Sequence, residues 1–205
     1  MLKLWGRTNS VNVKKALWCL GELGIPYERV DAGMQFGVVN TPEYRKMNPN
    51  GRVPTIEDDG FVLWESHTIV RYLCAKHSMG KLCPSDLRVR ADAERWMDWA
   101  FSFQSAMRDV FWGLIRTPPE KRDQKAIDAG VKASDELAGM LDGVLANRPY
   151  VAGAQFTMGD IPIGCEVQRY LRVPIDRPKR PHLEAWFERL RQRPPFMKHV
   201  DLPLT

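Results

Sequence analysis

The stretch from Asn48 to Leu73, NPNGRVPTIEDDGFVLWESHTIVRYL, constrains the fold more than any other part of this sequence. A turn-rich Asn48-Pro49-Asn50-Gly51 leads through Arg52 into two short β-rich runs, Val53 to Glu57 and Phe61 to Trp64, joined by an acidic hairpin turn, Glu57-Asp58-Asp59-Gly60. Glu65-Ser66 then opens a helix, with Ser66 to Ala75 as its body. A proline beside a strand start removes a ladder donor, so Pro54 belongs at an edge, a bulge or a cis turn. A cis Val53-Pro54 bond makes a tight bend, and such a bend leaves Val53 with backbone N–H and C=O groups free to pair with an extended peptide. At the helix start, backbone amides and the Ser66 hydroxyl make a natural anion site. One hairpin thus offers a clamp for a peptide backbone beside a clamp for a carboxylate.

Val53-Pro54-Thr55-Ile56, followed by Trp64-Glu65-Ser66-x-x-Ile69-x-x-Tyr72-Leu73, resembles the glutathione-binding half of the cytosolic glutathione transferases. The opening Leu4-Trp5-Gly6-Arg7-x-Asn9-Ser10-x-Asn12-Val13-x-Lys15 resembles a bacterial branch of that family. The resemblance implies a cis-proline loop that holds the cysteinyl backbone of glutathione and an acid-serine pair that holds its γ-glutamyl group. It extends over almost the whole chain.

Periodicity gives the same architecture independently. Leu2 to Trp5 reads as a strand, and Thr8-Asn9-Ser10 as a turn with capping chemistry. Val13, Ala16, Leu17 and Leu20 recur at helical spacing, and Gly24-Ile25-Pro26 ends that helix. Tyr27 to Val30 is a second strand, followed by a loop with Gly33 and Gly37 and a short helix from Pro42 to Met47. With the hairpin and its helix, the order is β-α-β-α-β-β-α, that of a thioredoxin-like domain. Gly80 to Leu87 is a linker, and beyond it only helical patterns appear, over 88–115, 122–145, 158–170 and 182–191. The fold class is therefore α/β plus all-α: a thioredoxin-like domain over 1–80 and a helical bundle over 88–205, which a chain of 205 residues accommodates with ample core. Thr157 and Asp160 have the spacing of a capping box, flanked by Phe156 and Ile161 as a staple, so Asp160 reads as a determinant of the fold rather than a catalytic acid.

Several function classes fall away on composition. The formal net charge is +5, but Lys and Arg are interleaved with acids and no basic block with aromatics occurs, so no nucleic-acid partner is expected. No apolar run reaches the roughly 18 residues that span a bilayer, and Met1 to Gly6 reads as a strand rather than a leader. No membrane association and a cytoplasmic location are expected. The four cysteines, Cys19, Cys74, Cys83 and Cys165, lack both CxxC and zinc spacing. No metal site is expected, and Cys83 beside Pro84 is the one cysteine with a loop setting suited to redox chemistry.

The first strand–helix turn, where a thioredoxin-like oxidoreductase carries its cysteine, here reads Arg7-Thr8-Asn9-Ser10-Val11-Asn12. A hydroxyl or amide at this turn can donate to a thiolate that the ligand supplies, and a helix N-terminus lowers a thiol pKa from about 8.5 to between about 3.5 and 7.5. Ser10 matches the serine position of serine-type glutathione transferases, and Asn12 presents an amide to the same point; both remain candidate catalytic donors. No tyrosine lies in this turn. Arg52 is a candidate for the glycyl carboxylate, Val53 for the peptide backbone, Glu65 and Ser66 for the γ-glutamyl end, and Gln35 for an added amide contact. His67 lacks an acidic or cysteine partner and reads as a surface or capping residue. Among Trp96, Trp99, Phe103, Met107, Phe111 and Trp112, a subset would wall an apolar acceptor pocket facing Ser10, with Arg108 close by.

The expected function is a glutathione transferase acting on small apolar electrophiles, with glutathione as co-substrate and no other cofactor. Two alternatives share the fold: a silent glutathione-binding or protein-interaction module, and a glutathione-dependent peroxidase or disulfide reductase. The family resemblance also implies a homodimer, with Trp64, Arg71 and the helix from Arg88 as candidate contacts.

Overall fold

The computed structural model describes residues 1–205. The first unit is a four-stranded sheet in the order β2-β1-β3-β4. It comprises β1 (Leu2–Trp5), β2 (Tyr27–Val30), β3 (Thr55–Asp58) and β4 (Phe61–Trp64). β1 pairs in parallel with β2, Leu2 opposite Tyr27, and antiparallel with β3, Leu4 opposite Ile56. Three helices accompany the sheet: α1 (Val11–Leu23), α2 (Pro42–Met47) and α3 (Ser66–His77). A turn of 3₁₀ helix, Met34–Phe36, fills the Gly33–Gly37 loop. The first hairpin strand begins at Thr55 rather than Val53, because Pro54 has no N–H to give the ladder; the Val53-Pro54 peptide before it is cis.

The second unit contains α4 (Leu87–Phe111), α5 (Gln124–Leu145), α6 (Asp160–Arg172), α7 (Pro181–Arg191) and α8 (Pro194–His199). No helix is long and apolar enough to cross a membrane. The helical run expected through Ile115 stops being α-helical at Phe111 and continues as a π-helical turn, Trp112–Arg116. That turn packs against α5 through Gly113, where a Cβ would meet Ile127 Cδ1 at 2.6 Å. α8 was not legible as a helix because its two leading prolines and six residues carry too little periodicity.

The apolar core is continuous across both units. Trp18 of α1 inserts between Phe156, at 5.6 Å, and Phe196 of α8, at 4.8 Å. Gly164 lets α6 approach this ring, since a Cβ there would meet Trp18 Cζ3 at 2.8 Å. Arg193 closes the joint with a bidentate pair to Glu22 at 2.8 and 2.7 Å. The tight α1–α6 approach matters for function, because it sets the first turn of α1 against the charged face of the helical unit.

Asp160 is fully buried at the start of α6. Its Oδ2 accepts the Thr157 N–H at 3.0 Å, and its Oδ1 accepts the Val151 N–H at 3.0 Å and the Trp186 indole N–H at 2.9 Å. Burial pushes its carboxyl up to about 6 against these donors, which leaves it ionised at neutral pH. The side chain ties α6, α7 and the preceding loop together, as a fold determinant should.

Candidate functional site

A cleft of about 490 Å³ opens between the units, within the size range of small-ligand sites. Its floor comes from three loops of the first unit. Tyr44 Oη and Asn48 Nδ2 both donate to the Arg52 carbonyl, at 2.6 and 2.9 Å, and both reach Thr55 Oγ1, at 2.8 and 3.0 Å. This double anchor fixes the bend on either side of Val53. The Val53 N–H and C=O make no hydrogen bond within the protein, so they stand available to an extended chain. Nothing in the sequence motif pointed to Tyr44 or Asn48 as its supports.

Beside Val53, α3 begins with its polar groups unused. Glu65 holds φ 72° and ψ 113°, a left-handed region that side chains rarely adopt. Its carboxylate makes no capping bond. The N–H groups of Ser66, His67 and Thr68 have no intramolecular acceptor. Ser66 is almost buried yet lines the cleft. Open amides, the positive end of a helix and a hydroxyl favour an anion at this point, and Glu65 beside them favours an amine.

The start of α1 faces the same space. Ser10 precedes the helix without capping it, so its hydroxyl is free, and the N–H groups of Val11, Asn12 and Val13 are unpaired. Asn12 Oδ1 accepts from Lys15 Nζ at 3.0 Å and from Gln104 Nε2 at 3.3 Å. An ammonium only donates, so this contact assigns Oδ1 inward and leaves the Asn12 NH₂ facing away from Lys15.

No protein thiol competes for this position. All four cysteines are buried. Cys19 and Cys74 meet at 3.6 Å, and that contact, with burial, raises the Cys19 thiol well above its ordinary value. Burial pushes Cys165 to about 12. Cys83 is fully buried and its thiol is raised by desolvation, which removes the redox role its loop setting suggested.

The helical wall is more cationic than the aromatic pattern implied. Phe103, Met107, Phe111 and Trp96 belong to the core, and of the aromatic set only Trp112 lines the cleft. The hydrophobic lining is Val11, Phe101 and Trp112, and the one acid is Glu65. Arg7, Arg52, Arg108, Arg116 and Arg169 complete the rim. Arg108 is neutralised by Asp109 at 2.9 Å. Arg169 stacks on Phe111 at 3.9 Å, and Arg116 lies over Phe111 and Trp112 at 4.8 and 4.7 Å. Burial lowers the Arg169 guanidinium to about 10 and depresses Arg7 and Arg116.

The structure therefore gathers Ser10, Asn12, Arg52, Val53, Glu65, Ser66, Arg108 and Trp112 on one cleft. Gln35 is left outside, exposed on the 3₁₀ turn, where Gly33 and Met34 rather than its amide face the ligand space. His67 is also corrected: it is buried, stacked on Phe101 at 4.1 Å and 3.1 Å from Lys15 Nζ. Burial first, then the Lys15 charge, lowers it to about 2, so it is a neutral imidazole. Sequence reasoning also missed Arg7, Arg116 and Arg169, which read as scattered surface charge.

Residues 1–75 match the model of the glutathione S-transferase N-terminal domain, and residues 103–194 that of its C-terminal domain. Glutathione S-transferase GstB of Escherichia coli K12 is 44% identical, with 100% of both chains covered. Glutathione S-transferase 3 of Zea mays is 32% identical, covering 97% of this chain and 93% of its own. Among solved structures, the theta class glutathione S-transferase of Xanthomonas axonopodis pv. citri with glutathione bound superposes with a TM-score of 0.96. It is 47% identical over 100% of this chain and 99% of that one. Glutathione transferase BmGSTD1 of Bombyx mori gives a TM-score of 0.85 at 28% identity, covering 98% and 92%.

Proposed function

This chain belongs to the glutathione S-transferase family, and from that premise we propose that its cleft ionises the thiol of bound glutathione and aims it at a small electrophile that pairs an apolar face with an anionic group. One observation carries the reading. The Val53 backbone, the Glu65 carboxylate and the amides opening α3 are all unspent within the protein, and they line contiguous hollows of the cleft with the free Ser10 hydroxyl and the Asn12 amide. The similar theta class enzyme of Xanthomonas was solved with glutathione bound.

In this reading Val53 pairs with the cysteinyl backbone. Ser66 and the open amides of α3 take the γ-glutamyl carboxylate, Glu65 its amine, and Arg52 the glycyl carboxylate. The thiol releases its proton to solvent, because the Ser10 hydroxyl or the Asn12 NH₂ donates to the thiolate sulfur within the field of the α1 N-terminus. The sulfur then bonds to the electrophilic carbon, and the leaving group departs with the bonding pair. Glutathione is consumed as co-substrate and no other cofactor is required.

The apolar acceptor expected from the aromatic pattern is sharpened by the arginines. Arg7 and Arg169 have no carboxylate partner, whereas Arg116 is held by the Thr205 main-chain oxygen at 2.7 and 3.1 Å, and Phe101 and Trp112 offer the flat apolar surface beside them. An aryl halide carrying a carboxylate should therefore be turned over with at least tenfold higher kcat/KM than its methyl ester. Equal values would remove the anionic requirement while leaving transferase activity intact. An organic hydroperoxide run in parallel separates conjugation from peroxide reduction, and glutathione binding with no turnover of either would mark a silent module.

The same reading assigns residues 1–80 to glutathione binding and 88–205 to the electrophile, in a cytoplasmic protein of detoxifying role. A homodimer fits exposed apolar residues in both units, Phe61 in the first and Leu87 and Val89 in the second. Light scattering of a monomer at micromolar concentration would reject it.

A further inference from the structure

Lys15 is fully buried, three residues beyond Asn12, the last position of α1 that lines the cleft. Its Nζ donates to Asn12 Oδ1 at 3.0 Å, to Gln104 Oε1 at 3.2 Å and to His67 Nε2 at 3.1 Å. Three ammonium protons thus meet three acceptors. Glu166 of α6 lies 2.9 Å away, also fully buried, and neither of its oxygens accepts a hydrogen bond. It supplies charge balance and little else. A buried ion pair is poor evidence of stabilisation, since apolar residues of similar volume usually serve as well. Its placement asks for another explanation.

Lys15 settles the orientation of both amides it touches. With Asn12 Oδ1 and Gln104 Oε1 turned to the ammonium, Gln104 Nε2 donates to Asn12 Oδ1 at 3.3 Å. The Asn12 NH₂ is thereby the group left for the cleft. Without Lys15 the amide can turn over and present its oxygen to the sulfur, which would repel a thiolate instead of holding it. His67 fits the same arrangement, because a neutral imidazole offers Nε2 as an acceptor and adds no competing charge.

We propose that Lys15, held against Glu166 and His67 behind the cleft, is a positioning residue for thiol ionisation that fixes the Asn12 amide with its NH₂ toward the glutathione sulfur. This rests on the reading of Asn12 as a partner of that sulfur. The remaining charges lining the cleft, Glu65 and the guanidiniums of Arg7, Arg52, Arg108, Arg116 and Arg169, are unchanged in every variant compared below.

The test is titration of the thiolate absorbance of glutathione bound to the full-length protein. Lys15→Met leaves the Glu166 carboxylate buried without a partner, so the principal variant is Lys15→Met/Glu166→Gln, which removes both buried charges together, with circular dichroism checking that it folds. It is expected to raise the pKa of the bound thiol by about one unit, a tenfold loss of thiolate at neutral pH. kcat should fall with it, while the KM for glutathione changes less than twofold. Asn12→Ala should give the same shift, and adding it to the double variant should add nothing further, because the two act through one group. An unchanged thiol pKa in Lys15→Met/Glu166→Gln, with a raised one in Asn12→Ala, overturns the role of Lys15 and leaves the Asn12 reading standing. Fully additive shifts overturn it too, since Lys15 would then act by its field alone. If Asn12→Ala leaves the pKa unchanged, the Asn12 reading itself fails, and the role of Lys15 with it.

Discussion

Two helix starts in this molecule carry the same sequence chemistry, an acid near a hydroxyl, and use it in opposite ways. At the start of α6, Asp160 spends both oxygens on the Val151 and Thr157 amides and the Trp186 indole, and nothing reaches solvent. At the start of α3, the Glu65 and Ser66 side chains bond to nothing in the chain, and the first amides of the helix stay open toward the cleft. Residue type does not separate the two. The separation lies in whether the hydrogen-bonding capacity is used up by the fold, and an unspent buried or half-buried capacity is costly unless a ligand satisfies it. Structural caps and binding sites can therefore be told apart by what remains unpaired.

The largest expected effect breaks the comparison on its structural side. Asp160→Ala orphans three buried N–H donors at about 1–3 kcal/mol each, so the fold should lose more than about 3 kcal/mol. Urea denaturation measures this directly. A loss below about 1 kcal/mol would mean that the α6 cap is no more spent than the α3 one.

On the open side the expectation reverses. Glu65→Gln should weaken glutathione binding by about 10–100-fold, the worth of one charge-assisted bond of about 1.5–3 kcal/mol, with no change in the denaturation midpoint. Glu65→Gly should go further and stabilise the free protein by about 1 kcal/mol, because glycine accepts the left-handed backbone that Glu65 occupies at φ 72°. Calorimetry and denaturation on the same samples check both. A Glu65→Gly protein that is less stable than the parent would show that the carboxylate is already employed by the fold.

The contrast also explains which parts of the site were legible in sequence. The Val53-Pro54 bend, the Glu65-Ser66 pair and the Thr157–Asp160 box are local signals, each written within a few residues. The arrangement behind Asn12 is not local: Lys15, His67, Gln104 and Glu166 come from four helices and meet only after the units pack. One trace of it was present, since Lys15 lies on the face of α1 that carries Val11, Trp18 and Cys19, all buried. A charge on an apolar helical face is a request for a partner, but the partner on α6 has no sequence address. The arginines of the cleft were invisible for the same reason, because burial rather than spacing distinguishes Arg169 from the surface arginines around it.

His67 extends the comparison to a residue that belongs to both sides. It follows Ser66 on the open helix start, yet its ring turns inward and is spent on Lys15. Its folded-state value of about 2 lies below its ordinary 6.5, so the unfolded chain takes up the proton first. The stability it confers is complete above pH 6.5 and is lost as the pH falls, at up to about 1.4 kcal/mol per unit. Between pH 6.5 and 5.5 that amounts to about 1 kcal/mol. In His67→Gln this part of the acid loss should vanish. Denaturation midpoints of the two proteins at both pH values decide the matter, and parallel changes would show that His67 is protonated in the folded protein.

The smallest effect concerns Ser10, where an open start sits on the helix that carries the thiol chemistry. Thr41, Asp86 and Asp123 each cap a helix with the side chain, Asp123 by accepting the Ala126 N–H at 3.0 Å. Removing such a cap costs about 1 kcal/mol, so Asp123→Ala should lower stability by about that much. Ser10 occupies the same position on α1 without a capping bond. Its hydroxyl is held in reserve for a ligand, and Ser10→Ala should change the stability of the free protein by less than about 0.5 kcal/mol. The difference should appear only when glutathione is added: the ligand should raise the melting temperature of the parent more than that of Ser10→Ala, because the lost bond forms only in the complex. A Ser10→Ala protein as destabilised as Asp123→Ala before any ligand is present would place Ser10 among the spent caps, and the serine would then have to be withdrawn from the site.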